Sequence, residues 1–197
     1  FLIKNHILNN YYNVNIVLFY IKYFFTLFFS SIIPYNVFVK YWLFEPINSR
    51  RSLNFVFDGF YDYKELIFLL HYLKDDDIFF DVGANIGLYS LAASLSDVSK
   101  IYSFEPSIIG NKFLTKNVLY NNLDNRIVCE NYAISNCKRM GLLTSKMNVS
   151  NKMLDDNVLY KNINIKSELV PTISLNEYCN LKLVTPSFLK IDIEGYE

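Results

Sequence analysis

Apolar residues change their spacing several times along the chain, and each spacing names an element. Residues 14–33 are almost continuously apolar and stop before Pro34, close to the roughly 20 residues that a membrane-crossing helix needs. Lys22 lies inside that run with Asn15, Thr26, Ser30 and Ser31, and a lysine at the centre of a span costs about 2.5 to 3.5 kcal/mol. A membrane span and an amphipathic or buried helix in peripheral contact with a membrane are both open readings of 14–33. Two aromatic-rich runs, 37–44 and 53–57, flank Pro46, Asn48, Ser49, Arg50 and Arg51, which predicts two strands around a turn. From 62 to 73, Leu66, Ile67, Leu69, Leu70 and Leu73 recur at helical spacing, with Asp62 as the expected cap and Glu65 three residues on.

Beyond residue 77 strands and helices alternate. Short apolar runs at 78–82, 100–104 and 126–129 are separated by helical patterns at 86–95 and 107–121, the second with Ile109, Phe113 and Leu114 on one face. A fourth run follows at 188–193, and the polar stretch 135–172 before it reads as a hairpin, an ordered insertion or a mobile loop. Strands this short, joined by helices this long, imply a parallel sheet covered on both faces with right-handed crossovers, hence a doubly wound α/β domain. The expected organisation is an N-terminal helix and hairpin extension over 1–60, followed by the α/β domain over 61–197. The chain opens at Phe1 and stops at Glu197 directly behind a strand, so further residues are expected on both sides and the sheet is expected to be incomplete at the C-terminus.

Composition narrows the chemistry. Nineteen basic residues balance 19 acidic ones, so no overall basic field exists to attract nucleic acid. Cys129, Cys137 and Cys179 form no C-x-x-C pair and leave an odd thiol, which suits a reducing, cytoplasmic compartment better than a disulfide framework and offers no zinc site. His6 and His71 lie too far apart for H-E-x-x-H, so no metal is expected and catalysis falls to carboxylates and backbone.

The most informative stretch runs from Phe79 to Ser90: a buried strand ending in Asp81, a turn holding Gly83, Ala84, Asn85 and Gly87, then a helix. In doubly wound sheets ligands bind at the carboxyl ends of strands, and glycines admit close backbone approach. A dinucleotide fingerprint beginning at Gly83 would place Asn85 and Leu88 where glycines are wanted, which weakens the pyrophosphate reading. Asp81 beside the turn attracts a cation instead, so the charge pattern favours a ligand such as S-adenosylmethionine. Glu105 ends the second strand at about the 20-residue offset from which an acid reaches ribose hydroxyls, and Pro106 stiffens the turn behind it. Asp192 and Glu194 crowd the exit of the last strand on one face, where neighbouring carboxylates raise a carboxyl pKa towards that of a useful base.

Three motifs in this order, from Phe80 to Gly87, Phe104-Glu105-Pro106, and Leu189 to Glu197, closely resemble the FkbM-type methyltransferases, class I S-adenosylmethionine enzymes. The stretch from Val170 to Tyr178 resembles the Thr-containing segment that precedes the last motif in that family, so the likeness covers about 61–197. The resemblance implies a Rossmann-like class I methyltransferase sheet and O-methylation of a sugar, glycan or glycolipid hydroxyl, with the family's remaining strands following Glu197. It also implies that Asp81, Gly83, Asn85 and Gly87 line the methionine and ribose side, with Ala84 and Pro106 beside them among the cofactor-binding residues, that Glu105 holds the ribose hydroxyls, that Ala133 lies near the adenine, and that Asp192 faces the methyl donor. A nicotinamide-dependent oxidoreductase and a non-catalytic membrane-associated module are the rival expectations.

Overall fold

A computed structural model describes residues 32, 34–38, 40–46, 62–144, 153–154 and 167–193. Most of 14–33, all of 53–57 and Glu194 lie outside them, so the apolar N-terminal run and the second hairpin strand expected from sequence fall outside the described residues.

At the centre are four parallel strands, β3 (Ile78–Val82), β4 (Lys100–Phe104), β5 (Ile127–Glu130) and β10 (Phe188–Ile191), in the order β10-β3-β4-β5. Each expected apolar run forms its strand, and the registers are in phase: Phe79 lies beside Ile101 and Phe188, and Asp81 beside Ser103 and Lys190. From β3 the chain builds outward through β4 to β5, then returns to the opposite side of β3 as β10. The gap between β3 and β10 is therefore a topological switch point, where open α/β sheets bind ligands.

Strand alternation divides the core in two. Phe79, Ile101 and Ile127 face α1 (Tyr63–Tyr72), α2 (Leu88–Ala93) and α3 (Ile108–Tyr120), meeting Leu66, Leu91 and Leu114. Phe80, Val82 and Phe104 face the other way, against Ile173 and Tyr178, the latter from α4 (Leu175–Lys182). Tyr178 is fully buried among Phe80, Tyr102 and Phe104, with ring centroids 4.7 to 6.0 Å away, and its hydroxyl donates to Glu130 at 2.8 Å. Burial first, then that carboxylate, hold the phenol well above its ordinary pKa, so it stays a donor.

Several local expectations are corrected. The run 37–44 does not form one strand; it folds on itself, with β1 (Tyr35–Val37) antiparallel to β2 (Tyr41–Leu43) and Phe38 left-handed between them. Asp62 stands at the start of α1 without capping it, because its carboxylate is taken by the Tyr89 hydroxyl. Helix α2 starts at Leu88 rather than 86, because Gly87 is left-handed at φ 93°. In α3 the buried stripe is Leu114, Asn117 and Val118, while Ile109 faces solvent.

Asn117 explains that last departure. Its amide accepts from Phe44 N at 2.6 Å and donates to Phe44 O at 2.9 Å, while Asn121, one turn on, does the same for Trp42 at 2.8 and 2.7 Å. Two asparagines four apart thus read the backbone of an extended segment as a neighbouring strand would. The hairpin docked this way contributes Val37, Phe38, Tyr41 and Leu43 to the same core as Phe79 and Leu114.

The polar stretch before β10 takes the hairpin form among the described residues. β7 (Arg139–Thr144) pairs antiparallel with β9 (Ser167–Ile173), flanked by β6 (Ala133–Ile134) and β8 (Met153–Leu154) in the order β6-β9-β7-β8. Thr172 locks it, accepting from Arg139 N at 3.0 Å and donating to Cys137 O at 2.7 Å.

Candidate active site

The carboxyl ends of β3, β4 and β10 bring together Asp81 with the glycine turn, Glu105 and Asp192. The turn is built from residues that accept a left-handed backbone at every second position: Gly83 at φ 76°, Asn85 at 52° and Gly87 at 93°. Glycine meets this condition without steric cost, and asparagine tolerates it better than most residues. Gly83 has a further reason to lack a side chain, since a Cβ there would stand 2.0 Å from the carbonyl oxygen of Asp192. Its small size therefore serves first the close passage of β10's exit over the turn.

Four of the turn's amides, those of Gly83, Ala84, Asn85 and Gly87, are spent internally. Gly83 N and Ala84 N both donate to Phe104 O, at 3.0 and 2.9 Å; Asn85 N donates to Glu105 Oε2 at 2.8 Å, and Gly87 N to Ala84 O at 2.8 Å. A pyrophosphate cradle needs such groups pointing at the ligand. The geometry here argues against a dinucleotide on stronger ground than the missing glycines.

Glu105 is buried at the tip of β4. Its carboxylate accepts from Asn85 N and, through Oε1, from Ser107 N at 2.9 Å, joining the glycine turn to the start of α3. Gly110 makes room for it, since a Cβ there would lie 2.9 Å from the carboxyl group. Pro106 follows at intermediate exposure, its carbonyl accepting from Asn131 at 2.9 Å. A carboxylate has about four acceptor positions, and ribose hydroxyls call for acceptors of this kind.

Asp81 corrects the electrostatic expectation. It is fully buried, accepts from Ser90 Oγ at 2.6 Å, and faces the Lys190 ammonium at 3.1 Å through Oδ1. Ser90 has one proton, which goes to Asp81, so Ser103 donates to Ser90 across 2.7 Å and completes the chain. The charge of Asp81 is thus already balanced by this protein's own lysine and cannot by itself attract a cationic ligand. Lys190 also donates to Gly83 O at 3.1 Å, lies 3.7 Å from Asp192 and sits 4.7 Å from the centre of the Tyr89 ring.

The carboxylate left towards solvent is Asp192, whose side chain is 57% exposed while its backbone N donates to Val82 O. Tyr89 faces Asp62, Glu65 and Asp192; burial first, then these acids, push its phenol far above the ordinary value and keep it protonated. Ala84 is buried under the turn, and Ala133 is buried in β6 against Leu143 and Val170. Glu194 lies outside the described residues.

The methyltransferase FkbM domain model matches residues 81–197, more than half of the chain and, Phe80 apart, the whole of the three motifs. The chain belongs to the FkbM methyltransferase family. No curated protein matches it. Among solved structures it is similar to aTrm5 in complex with tRNALeu, at 24% identity over 34% of this chain and 20% of that one, with a TM-score of 0.32. It is also similar to P. horikoshii TYW2 in complex with MeSAdo, at 28% identity over 32% and 24%, TM-score 0.30. A tRNA methyltransferase from M. jannaschii matches at 21% identity over 39% and 26%, TM-score 0.31. The matched part spans between 20% and 26% of the length of these proteins.

The methyl donor of an FkbM domain is S-adenosylmethionine, and the donor set here fits it. Carboxylates at Glu105 and Asp192 can serve hydroxyls and a positive charge, whereas the turn offers an anion none of its amides at 83, 84, 85 and 87.

Three members of this site escape sequence reasoning: Lys190, Tyr89 and Asn117. The available signal for Lys190 was a lysine in the middle of the apolar strand Phe188–Ile191, beside an acid-bearing strand. For Asn117 it was an amide on the apolar face of α3, where an unpaired polar group would be costly. Its Nδ2 also donates to Ile86 O at 2.8 Å, tying the glycine turn to the hairpin.

Proposed function

We propose that this protein is an S-adenosylmethionine-dependent O-methyltransferase acting on a hydroxyl of a sugar, glycan or glycolipid. The observation that carries the reading is the FkbM domain match over a switch point rimmed by carboxylates. When bound, the cofactor supplies a methyl carbon activated by positive sulfur, transferred to oxygen as the carbon–sulfur bond breaks. The chain's part is to align the acceptor hydroxyl, with reacting atoms about 3 to 3.5 Å apart, and to take its proton. Asp192, exposed at the end of β10, is the proposed base or orienting group, with Glu194 as its sequence neighbour in that role. Glu105 would hold the ribose hydroxyls with Pro106 beside it, and Ala133 would border the adenine. A formal net charge of zero favours a carbohydrate acceptor over RNA. Among the described residues no helix is long and apolar enough to cross a membrane.

Calorimetric titration with S-adenosylhomocysteine tests the reading. Wild-type protein is expected to bind it, and Glu105→Gln, which halves the negative acceptor set facing the hydroxyls, to bind about tenfold or more weakly. Folded protein that binds NAD and not S-adenosylhomocysteine would overturn the assignment.

A further inference from the structure

The amino-acid end of S-adenosylmethionine carries a carboxylate as well as an ammonium, and burying either charge without a partner is costly. In glycine-turn folds the backbone amides are the usual answer for an anion. Here the amides of Gly83, Ala84, Asn85 and Gly87 are already bonded within the protein. Those four groups are not open to the carboxylate, and a charged side chain beside the turn is the stronger donor for it.

Lys190 is the cation that meets the turn. Its ammonium touches Gly83 O, pairs with Asp81 at 3.1 Å, and reaches towards Asp192 at 3.7 Å. Asp81 is sealed, whereas the Lys190 side chain keeps 16% of its surface open. The Tyr89 ring beneath the ammonium holds it against the turn. Around this one lysine stand two carboxylates within ion-pair distance, and Asp62 and Glu65 act on the same tyrosine.

We propose that Lys190 is a cofactor-binding residue that receives the carboxylate of the cofactor's amino-acid end. The assignment rests on the S-adenosylmethionine reading above and adds to it which residue recognises the cofactor's only negative charge.

The test compares two ligands by calorimetry, S-adenosylhomocysteine and its decarboxylated analogue, which differ only in that carboxylate. Lys190→Met is expected to weaken S-adenosylhomocysteine about tenfold or more and to leave the decarboxylated analogue within about twofold, with Lys190→Arg recovering most of the loss. Because Lys190→Met leaves Asp81 buried without its cation, the paired variant Lys190→Met with Asp81→Asn is measured alongside, and the same ligand split is expected there. Equal losses for both ligands in the folded paired variant would mean that Lys190 only shapes the turn, and unchanged affinity for both would remove it from the site; either result overturns the proposal. Wild-type protein that binds neither ligand would instead overturn the methyltransferase reading itself.

Discussion

At the scale of single residues, the site is governed by close approaches that leave no room for alternatives. Gly83 combines a left-handed backbone with an Asp192 carbonyl where a Cβ would stand, and the obstacle is main chain, which cannot swing aside. Gly87 is also left-handed, but its Cβ would meet only the end of the Leu114 side chain at 2.7 Å. Gly83→Ala is therefore expected to destabilise the protein by roughly 3 to 5 kcal/mol, from backbone strain and overpacking together, and Gly87→Ala by distinctly less. Urea denaturation of both variants checks the order; equal midpoints would show that β10's exit yields readily. That Gly83 and Gly87 sit in the ligand turn was legible from their spacing. That Asp192 O is what Gly83 avoids was not, because the two residues meet only once β10 lies beside β3.

At the scale of elements, the pairing of β10 with β3 is set at its lower end by a small latch. Ser187 N donates to Ile78 O at 3.0 Å, Ile78 N donates to Ser187 Oγ at 3.0 Å, and that hydroxyl donates to Asp77 Oδ1 at 2.6 Å. The Ser187 hydroxyl first, then the Lys74 backbone N–H, hold the Asp77 carboxyl below its ordinary 3.8. A folded pKa below the unfolded one contributes stability that is whole above about pH 3.8 and is lost as pH falls through the folded value. Urea midpoints are thus expected to fall more steeply with acid below pH 4 in wild type than in Asp77→Asn; parallel curves would dismiss the latch. Strands 78–82 and 100–104 were readable to the residue from their apolar runs. The hairpin at β1 and β2 was not, because its turn at Phe38 uses a left-handed phenylalanine, held by burial in the core rather than by any local turn signal.

At the scale of the whole molecule, the N-terminal hairpin and the α/β sheet share one core, and Asn117 joins both to the glycine turn. Trp42, the chain's single tryptophan, sits on that hairpin and is bonded through its backbone to Asn121. If hairpin and sheet are one cooperative unit, denaturation followed by Trp42 fluorescence and by far-ultraviolet circular dichroism will superimpose; an earlier fluorescence transition would show that the hairpin melts alone. Alternation of short apolar strands with helices was enough, from sequence, to establish the doubly wound class, and three ordered motifs were enough to indicate the family, because both are patterns of local spacing. The charge state of the site belongs to tertiary structure. Asp81 and Lys190 are far apart in the chain, and only parallel pairing of β3 with β10 sets them side by side, so whether an acid beside the turn is open to a ligand or already neutralised is decided by strand order.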